Sequence, residues 1–233
     1  MPYTTGKRCV VEKIKQHYEK VYAKGQQLNR WPFDCVVAFV FLNYPREKQR
    51  KDVRILELGC GAGNNLYFAA KEGFDCCGID FSREAIDYAK KRFETENLQA
   101  EFLVGDFRDA VEIESKFDLV ICRGVLQCVP FAEARQLMAD LGTIVEPGGK
   151  VFIETFSERD SRNASGNYNE NDMTENIKLR NDPCAYFFTR RDIFKLLENE
   201  WEIESLKHVD ITSCLTPDYQ SLASWQVVAR KAS

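Results

Sequence analysis

The sequence predicts an α/β fold built on a mostly parallel sheet, and three observations carry that expectation. Short apolar runs alternate with amphipathic helical stretches from residue 51 onward, the pattern of right-handed βαβ units. A glycine-dense loop, Gly59, Gly61 and Gly63, follows the first run. An acid, Asp80, ends the next run about 20 residues later, the spacing of a nucleoside-binding unit. At 233 residues the chain suits one substantial core, so we expect a single domain over 1–233. Its parts would be a helical cap over 1–50, a core over 51–156, an insert over 157–188 and a C-terminal helix with a strand pair over 189–233.

Taken in order, Val10, Val11, Ile14, Tyr18, Val21 and Tyr22 recur at helical spacing and predict an amphipathic helix over 8–24. GQQLNRWP breaks it, and a second, buried helix runs from a first-turn Pro32 to about Asn43. VRILEL, DCCGID, AEFLVG and FDLVIC read as strands, with a helix over 131–145 before the turn EPGG leads into the strand KVFIETF. In the helix after Asp80, Ser82 is placed to cap the start and Ala85, Ile86, Ala89 and Phe93 form one apolar face. Residues 157–187 are polar, rich in Asn and aperiodic, a loop whose length marks it as either disordered or functional. Thr189 and Asp192 make a capping box for a helix carrying Ile193, Leu196 and Leu197. WEIESLKHV and SWQVVAR close the chain as an antiparallel pair.

Composition narrows the function classes. A net charge of −4 supplies no broad basic field, which disfavours nucleic acid as main partner and favours a small acceptor. The most apolar window, FDCVVAFVFL, is far short of the roughly 20 residues that span a bilayer. The N-terminus has neither an apolar signal core nor a cleavage pattern, so the expected location is cytoplasmic, with no membrane partner. Nine cysteines contain no CxxC pair, and they read as reduced, mostly buried thiols with no metal site.

The glycine loop ELGCGAGNN lets the backbone approach a ligand with no Cβ in the way. Its spacing is GxGxG, and Asn64 stands where a dinucleotide fingerprint has its third glycine, which opposes a pyrophosphate. Glu57, just ahead of the loop, would repel phosphates and suit a cationic or hydroxyl-rich ligand. Asp80 suits ribose hydroxyls, although a helix N-terminal carboxylate serves the dipole as well. Asp106 is placed for an adenine amino group, with Phe107 beside the ring, or is a turn former.

With these residues in place, the chain closely resembles the class I S-adenosylmethionine-dependent methyltransferases. The resemblance rests on Glu57 to Gly63, on Gly78-Ile79-Asp80-Phe81-Ser82, on Gly105-Asp106-Phe107, on FDLVICRGVLQCVP and on EPGGKVFIETF. It covers 52–156 well and 185–231 more loosely. It implies a Rossmann-like sheet of seven strands with helices on both faces, the last strand antiparallel, and S-adenosylmethionine as cofactor, released as S-adenosylhomocysteine. The cofactor contacts it implies are Glu57, Gly59, Cys60, Gly61, Gly63, Asn64, Asp80, Phe81, Asp106, Phe107 and Arg123. Arg123 would line the transfer pocket, holding either the methionine carboxylate or an acidic acceptor, and is otherwise a surface cation. Tyr18, Tyr22 and Trp31 would wall the site from the N-terminal helices, or simply pack in the core.

The implied reaction moves a methyl group to oxygen or nitrogen of a small polar acceptor, such as a sugar or amine of a polysaccharide or natural-product pathway. No base motif is visible, so the catalytic residue stays unassigned, and His17 and His208 read as structural or exposed. The insert 157–187 would form an acceptor pocket and lid with the first helix. Within it Arg159, Arg162, Lys178 and Arg180 alternate with Glu158, Asp160, Glu170 and Asp172, which reads as a solvated mixed-charge loop. A nicotinamide-dependent oxidoreductase is opposed by the GxGxG spacing and Glu57, and a non-catalytic binding module by the intact acids. Monomer and homodimer both stay open.

Overall fold

The computed structural model of the protein describes residues 5–165, 167–168, 173–175, 184–215 and 220–232, without the side chains of 5–11, 165, 167, 168 and 175. Two helices open the described chain, α1 (Thr5–Ala23) and α2 (Asp34–Asn43). The alternating core follows as β1 (Arg54–Leu58), α3 (Asn64–Lys71), β2 (Asp75–Asp80), α4 (Arg83–Thr95), β3 (Glu101–Val104), β4 (Phe117–Arg123), α5 (Phe131–Ile144) and β5 (Val145–Phe156). Three two-residue strands, β6 (Asn167–Tyr168), β7 (Thr174–Glu175) and β8 (Cys184–Ala185), form a small antiparallel sheet. The chain ends with α6 (Arg190–Leu197), β9 (Trp201–Thr212) and β10 (Ser221–Lys231).

Seven strands share one sheet in the order β3-β2-β1-β4-β5-β10-β9. β1 to β5 pair in parallel, and β10 runs antiparallel to both β5 and β9, as expected. The strict two-residue period divides the core. Leu56, Leu58, Val120, Cys122, Val151 and Ile153 face α5 and α6. Ile55, Leu119, Ile121 and Phe152 face α2, α3 and α4. Each large apolar side chain buried this way contributes about 1.5–3 kcal/mol against the entropy of ordering the chain. Glu57, Arg123 and Glu154 lie in step with this second set and so point toward the α2 side.

The capping predictions hold. Ser82 Oγ accepts from Ala85 N at 3.3 Å, and Thr189 and Asp192 form the reciprocal capping box of α6. Three expectations change. Phe33 is the residue before α2, so Pro32 lies outside the helix and not in its first turn. That helix is also only half buried: Val36, Phe39 and Val40 pack inward, and Leu42 is 79% exposed. EPGG does not interrupt the chain ahead of β5 either. Gly148 takes φ +76°, and an added Cβ on Gly149 would approach Asp118 O to 3.0 Å, so the backbone bulges while staying against β4.

Candidate functional site

The strand order reverses direction between β1 and β4, the point where parallel α/β sheets leave a crevice at their carboxyl ends. A cavity of about 810 Å³ lies there, within the usual range for small-molecule sites. One half is built from the glycine loop. Gly59, Gly61 and Gly63 hold φ of +62°, +51° and +72°, a region where other residues are strained. An added Cβ would lie 2.7 Å from Val125 Cγ2 at Gly59 and 2.5 Å from the Tyr22 hydroxyl at Gly61. Gly63 faces away from the cavity: its Cβ would meet Ala89 at 3.1 Å and Phe102 at 3.3 Å, so it permits close packing of α3, α4 and β3. Asn64 lines the cavity and donates through Nδ2 to Trp31 O at 3.0 Å.

Asp80 braces this loop. Its Oδ2 accepts from Gly61 N and its Oδ1 from Ser82 N, both at 2.9 Å, so one carboxylate ties the loop to the start of α4. Burial raises its pKa, opposed by those two backbone donors. Each oxygen keeps a lone pair for a ligand in the cavity.

Glu57 is 3% exposed. Its Oε1 accepts from Asn65 Nδ2 at 2.6 Å, and Asn65 Oδ1 accepts from Phe33 N at 3.1 Å, which locks the loop side of β1 to α2. Oε2 is sealed from solvent and makes no hydrogen bond of ordinary geometry. Burial pushes this carboxyl up to about 8, against the Asn65 amide and the Arg123 charge that favour ionisation. An acid held this way gains from a nearby cation. Tyr22 is also pushed up, by burial first and then by the Asp80 charge, so its hydroxyl stays a neutral donor over the loop.

Of the aromatic wall, Tyr18 and Tyr22 line the cavity, and Tyr18 packs edge-on to Phe81 with ring centroids 6.3 Å apart. Trp31 does not: its side chain is 77% exposed, and only its backbone carbonyl reaches the site. Cys60, Phe81 and Phe107 line the cavity as expected. Asp106 is not among the lining residues. It caps a 3-10 turn over Phe107–Glu112 and accepts from Arg108 through both oxygens, at 2.8 and 2.6 Å. Burial raises its pKa, but the Arg108 contacts outweigh that and hold it below the usual carboxylate range. Arg123 lines the cavity with its guanidinium 3.3 Å from the Phe33 ring centre and ion-paired to Glu154, so its charge is already matched.

Sequence reasoning missed the other half. Phe33, Glu154, Phe156, Val209, Leu222 and Gln226 line it, from elements far apart in the chain. A charged residue inside the apolar run KVFIETF was the available signal for Glu154. Asp160 and Arg162 also line the cavity, and here the expected solvated loop is wrong. Their side chains are 0% and 3% exposed, paired at 2.7 Å, with Asp160 Oδ2 also accepting from Ala223 N at 2.9 Å. The guanidinium covers the Phe156 ring at 3.9 Å, so packing and backbone pairing replace the water that the local composition implied. Arg159 is exposed, and Glu170, Asp172, Lys178 and Arg180 lie outside the described residues. His208 lies outside the cavity lining, with Nε2 2.8 Å from Ser157 Oγ, and His17 packs on Tyr18.

Residues 55–149 match a family described as Methyltransferase domain. The ubiquinone biosynthesis O-methyltransferase of Coxiella burnetii is 29% identical over 107 residues, 46% of this chain and 45% of that protein. The chain thus aligns with about half the length of the curated relatives it matches. The 1,6-didemethyltoxoflavin-N1-methyltransferase of Burkholderia thailandensis, solved with 1,6-didemethyltoxoflavin and S-adenosylhomocysteine, superposes with a TM-score of 0.70 at 14% identity, covering 100% of this chain and 93% of that one. A SAM-dependent methyltransferase of Methanosarcina mazei gives 0.64 at 21% identity, covering 82% and 96%. Among the described residues no helix is long and apolar enough to cross a membrane.

Proposed function

We propose that this chain, whose residues 55–149 match a methyltransferase domain and whose fold is that of class I, S-adenosylmethionine-dependent methyltransferases, methylates oxygen or nitrogen of a small polar acceptor. The observation that carries this reading is the pair of buried acids around the glycine loop. Glu57 keeps an oxygen that makes no hydrogen bond of ordinary geometry to the described residues, and Asp80 keeps lone pairs beside a loop whose glycines leave no room for a Cβ. These residues fit a cationic nucleoside.

When bound, S-adenosylmethionine supplies a methyl group activated on a positively charged sulfur. Glu57 would favour that charge, Asp80 would accept from ribose hydroxyls, and Phe81 and Phe107 would flank the base. Tyr22 and Tyr18 on α1 exclude water from the loop side. Aligning the two reactants in such a site supplies roughly 7–11 kcal/mol of barrier reduction without a dedicated acid or base. A sugar hydroxyl or an amine suits the acceptor side. Cys35, Cys60, Cys76, Cys77, Cys122 and Cys214 are free thiols, which favours a reducing cytoplasm.

Calorimetric titration with S-adenosylhomocysteine and, separately, with NADH tests the cradle. Micromolar affinity for the first and none for the second is expected, and the reverse would reject the reading. A screen of sugars and amines with isotopically labelled methyl donor, read by product mass, then identifies the acceptor.

A further inference from the structure

The α2-facing side of the sheet changes character along β5 and β10. Near Phe152 it is roofed, with the tilted Phe39 ring of α2 centred 5.5 Å from the Phe152 ring and Val228 beside them. Two residues further along each strand it opens into the cavity, and Glu154 is the first side chain past the roof. Strand register sets it in a polar row: Arg123 of β4 is its partner on one side and Gln226 of β10 on the other. The next row is Phe156, Ser224 and Val209, and beyond it Leu222 lies opposite Ile211. A polar line therefore borders an apolar floor made of Phe156, Val209, Leu222 and Ile211, and Ile211 is 65% exposed.

Glu154 is incompletely used by the protein. Its Oε2 is ion-paired with Arg123. Among the described residues its Oε1 has two long contacts, 3.3 Å to Gln226 Nε2 and 3.4 Å to Ser224 Oγ, outside the range of strong hydrogen bonds. That oxygen can take a shorter bond from a ligand without breaking a good one. The charge around it also selects. The cavity is lined by Asp34, Glu57, Asp80, Glu154 and Asp160 against Arg123 and Arg162, and both cations are already paired with carboxylates. An anion entering this half would meet excess negative charge and, among the described lining residues, no open cation.

From this geometry we infer that Glu154 is the acceptor-binding carboxylate: its Oε1 accepts from the hydroxyl or amine of a neutral or cationic acceptor whose apolar body lies on the Phe156–Leu222–Ile211 floor. The inference rests on the methyl-donor reading of the neighbouring cradle and adds the class of acceptor. It also argues against one of the roles the sequence leaves open for Arg123, that of holding an acidic acceptor.

The test uses catechol (neutral), tyramine (cationic) and 3,4-dihydroxybenzoate (anionic) as probes. Each is titrated by ligand-observed NMR into the protein with and without S-adenosylhomocysteine. Catechol and tyramine should bind at least tenfold more tightly than the benzoate. Glu154→Gln, which keeps the volume and removes the charge, should weaken both at least tenfold, while the affinity for S-adenosylhomocysteine changes less than twofold. Equal binding of the benzoate, unchanged binding by the variant, or no binding of catechol and tyramine would each overturn the inference. So would a variant that loses S-adenosylhomocysteine, since Glu154 would then belong to the cradle. Failure of wild type to bind S-adenosylhomocysteine sinks the donor reading instead, and the probe titrations on the unloaded protein still judge Glu154.

Discussion

The two halves of the cavity are built in opposite ways. The cradle's glycine loop and two acids come from one stretch of chain, Glu57 to Asp80, in which side chains are fastened to groups close in sequence: Asp80 to the backbone of Gly61 and Ser82, Glu57 to the Asn65 amide. The acceptor half is assembled by register, with Arg123, Glu154 and Gln226 brought into line from three strands spread over more than a hundred residues. The first arrangement is a local motif that recognises a fixed ligand. The second changes its ligand whenever a single side chain on a strand changes, because the backbone pairing does not depend on which side chain points up. The acceptor half nonetheless has its own anchor, the buried Asp160–Arg162 pair.

Breaking that anchor should have the largest effect. Asp160→Ala leaves the Arg162 guanidinium buried without its carboxylate and removes the acceptor for Ala223 N. Loss of one partner of a buried pair costs about 3–5 kcal/mol, and a melt of the variant should fall by roughly 10 °C. A drop of under about 2 °C would return the segment to the solvated loop its composition implies.

That contrast explains what was legible in the sequence. Strand and helix order, the caps at Ser82 and Thr189 and the glycine loop all rest on residues within a few positions of one another, so local pattern suffices to find them. Glu57 and Asp80 were legible because a fixed spacing from the loop places them. Asp160 and Arg162 were not, because their burial depends on Phe156 and on the Ala223 backbone over sixty residues away. Trp31 misled for a related reason: its neighbourhood predicts a wall, but the bond from Asn64 uses its carbonyl and leaves the ring in solvent. Glu154 needed the β4–β5–β10 register, which no window of sequence contains.

Within the cradle, Asp80→Asn should rank next. It exchanges a charged acceptor for a neutral amide beside Gly61 N, removing charge-assisted bonds worth about 1.5–3 kcal/mol. Affinity for S-adenosylhomocysteine should fall more than tenfold, with catechol binding to the unloaded protein unchanged. Parallel losses of both would dissolve the distinction between the two halves.

Glu57 sharpens the comparison through pH. Its carboxyl is raised by burial from 4.5 to about 8 in the folded chain, so its contribution to stability is complete below about 4.5 and is lost as pH rises through about 8. Between those limits wild type should lose about 1.4 kcal/mol per pH unit relative to Glu57→Gln. Chemical denaturation of both proteins from pH 5 to 8 measures this directly, and parallel curves would mean that the carboxylate is hydrated after all. The same linkage requires proton release when a cation binds beside Glu57, which calorimetry in two buffers of different ionisation enthalpy reads out.

The smallest expected effect separates two acids that the sequence treats alike. Asp80 ends β2 and Asp106 lies just past β3, and the sequence places each to touch a nucleoside. Asp80 is met by two backbone N–H groups and lines the cavity, whereas Asp106 is committed to the Arg108 side chain, which continues to Glu133 at 2.7 Å. A carboxylate already paired this closely has little left for an adenine amino group, and its loss is felt mainly by the capped turn under Phe107. Asp106→Asn should therefore weaken S-adenosylhomocysteine by less than about threefold, under roughly 0.7 kcal/mol. A tenfold loss would show that Arg108 orients Asp106 toward the base, and would move this acid into the same working set as Asp80.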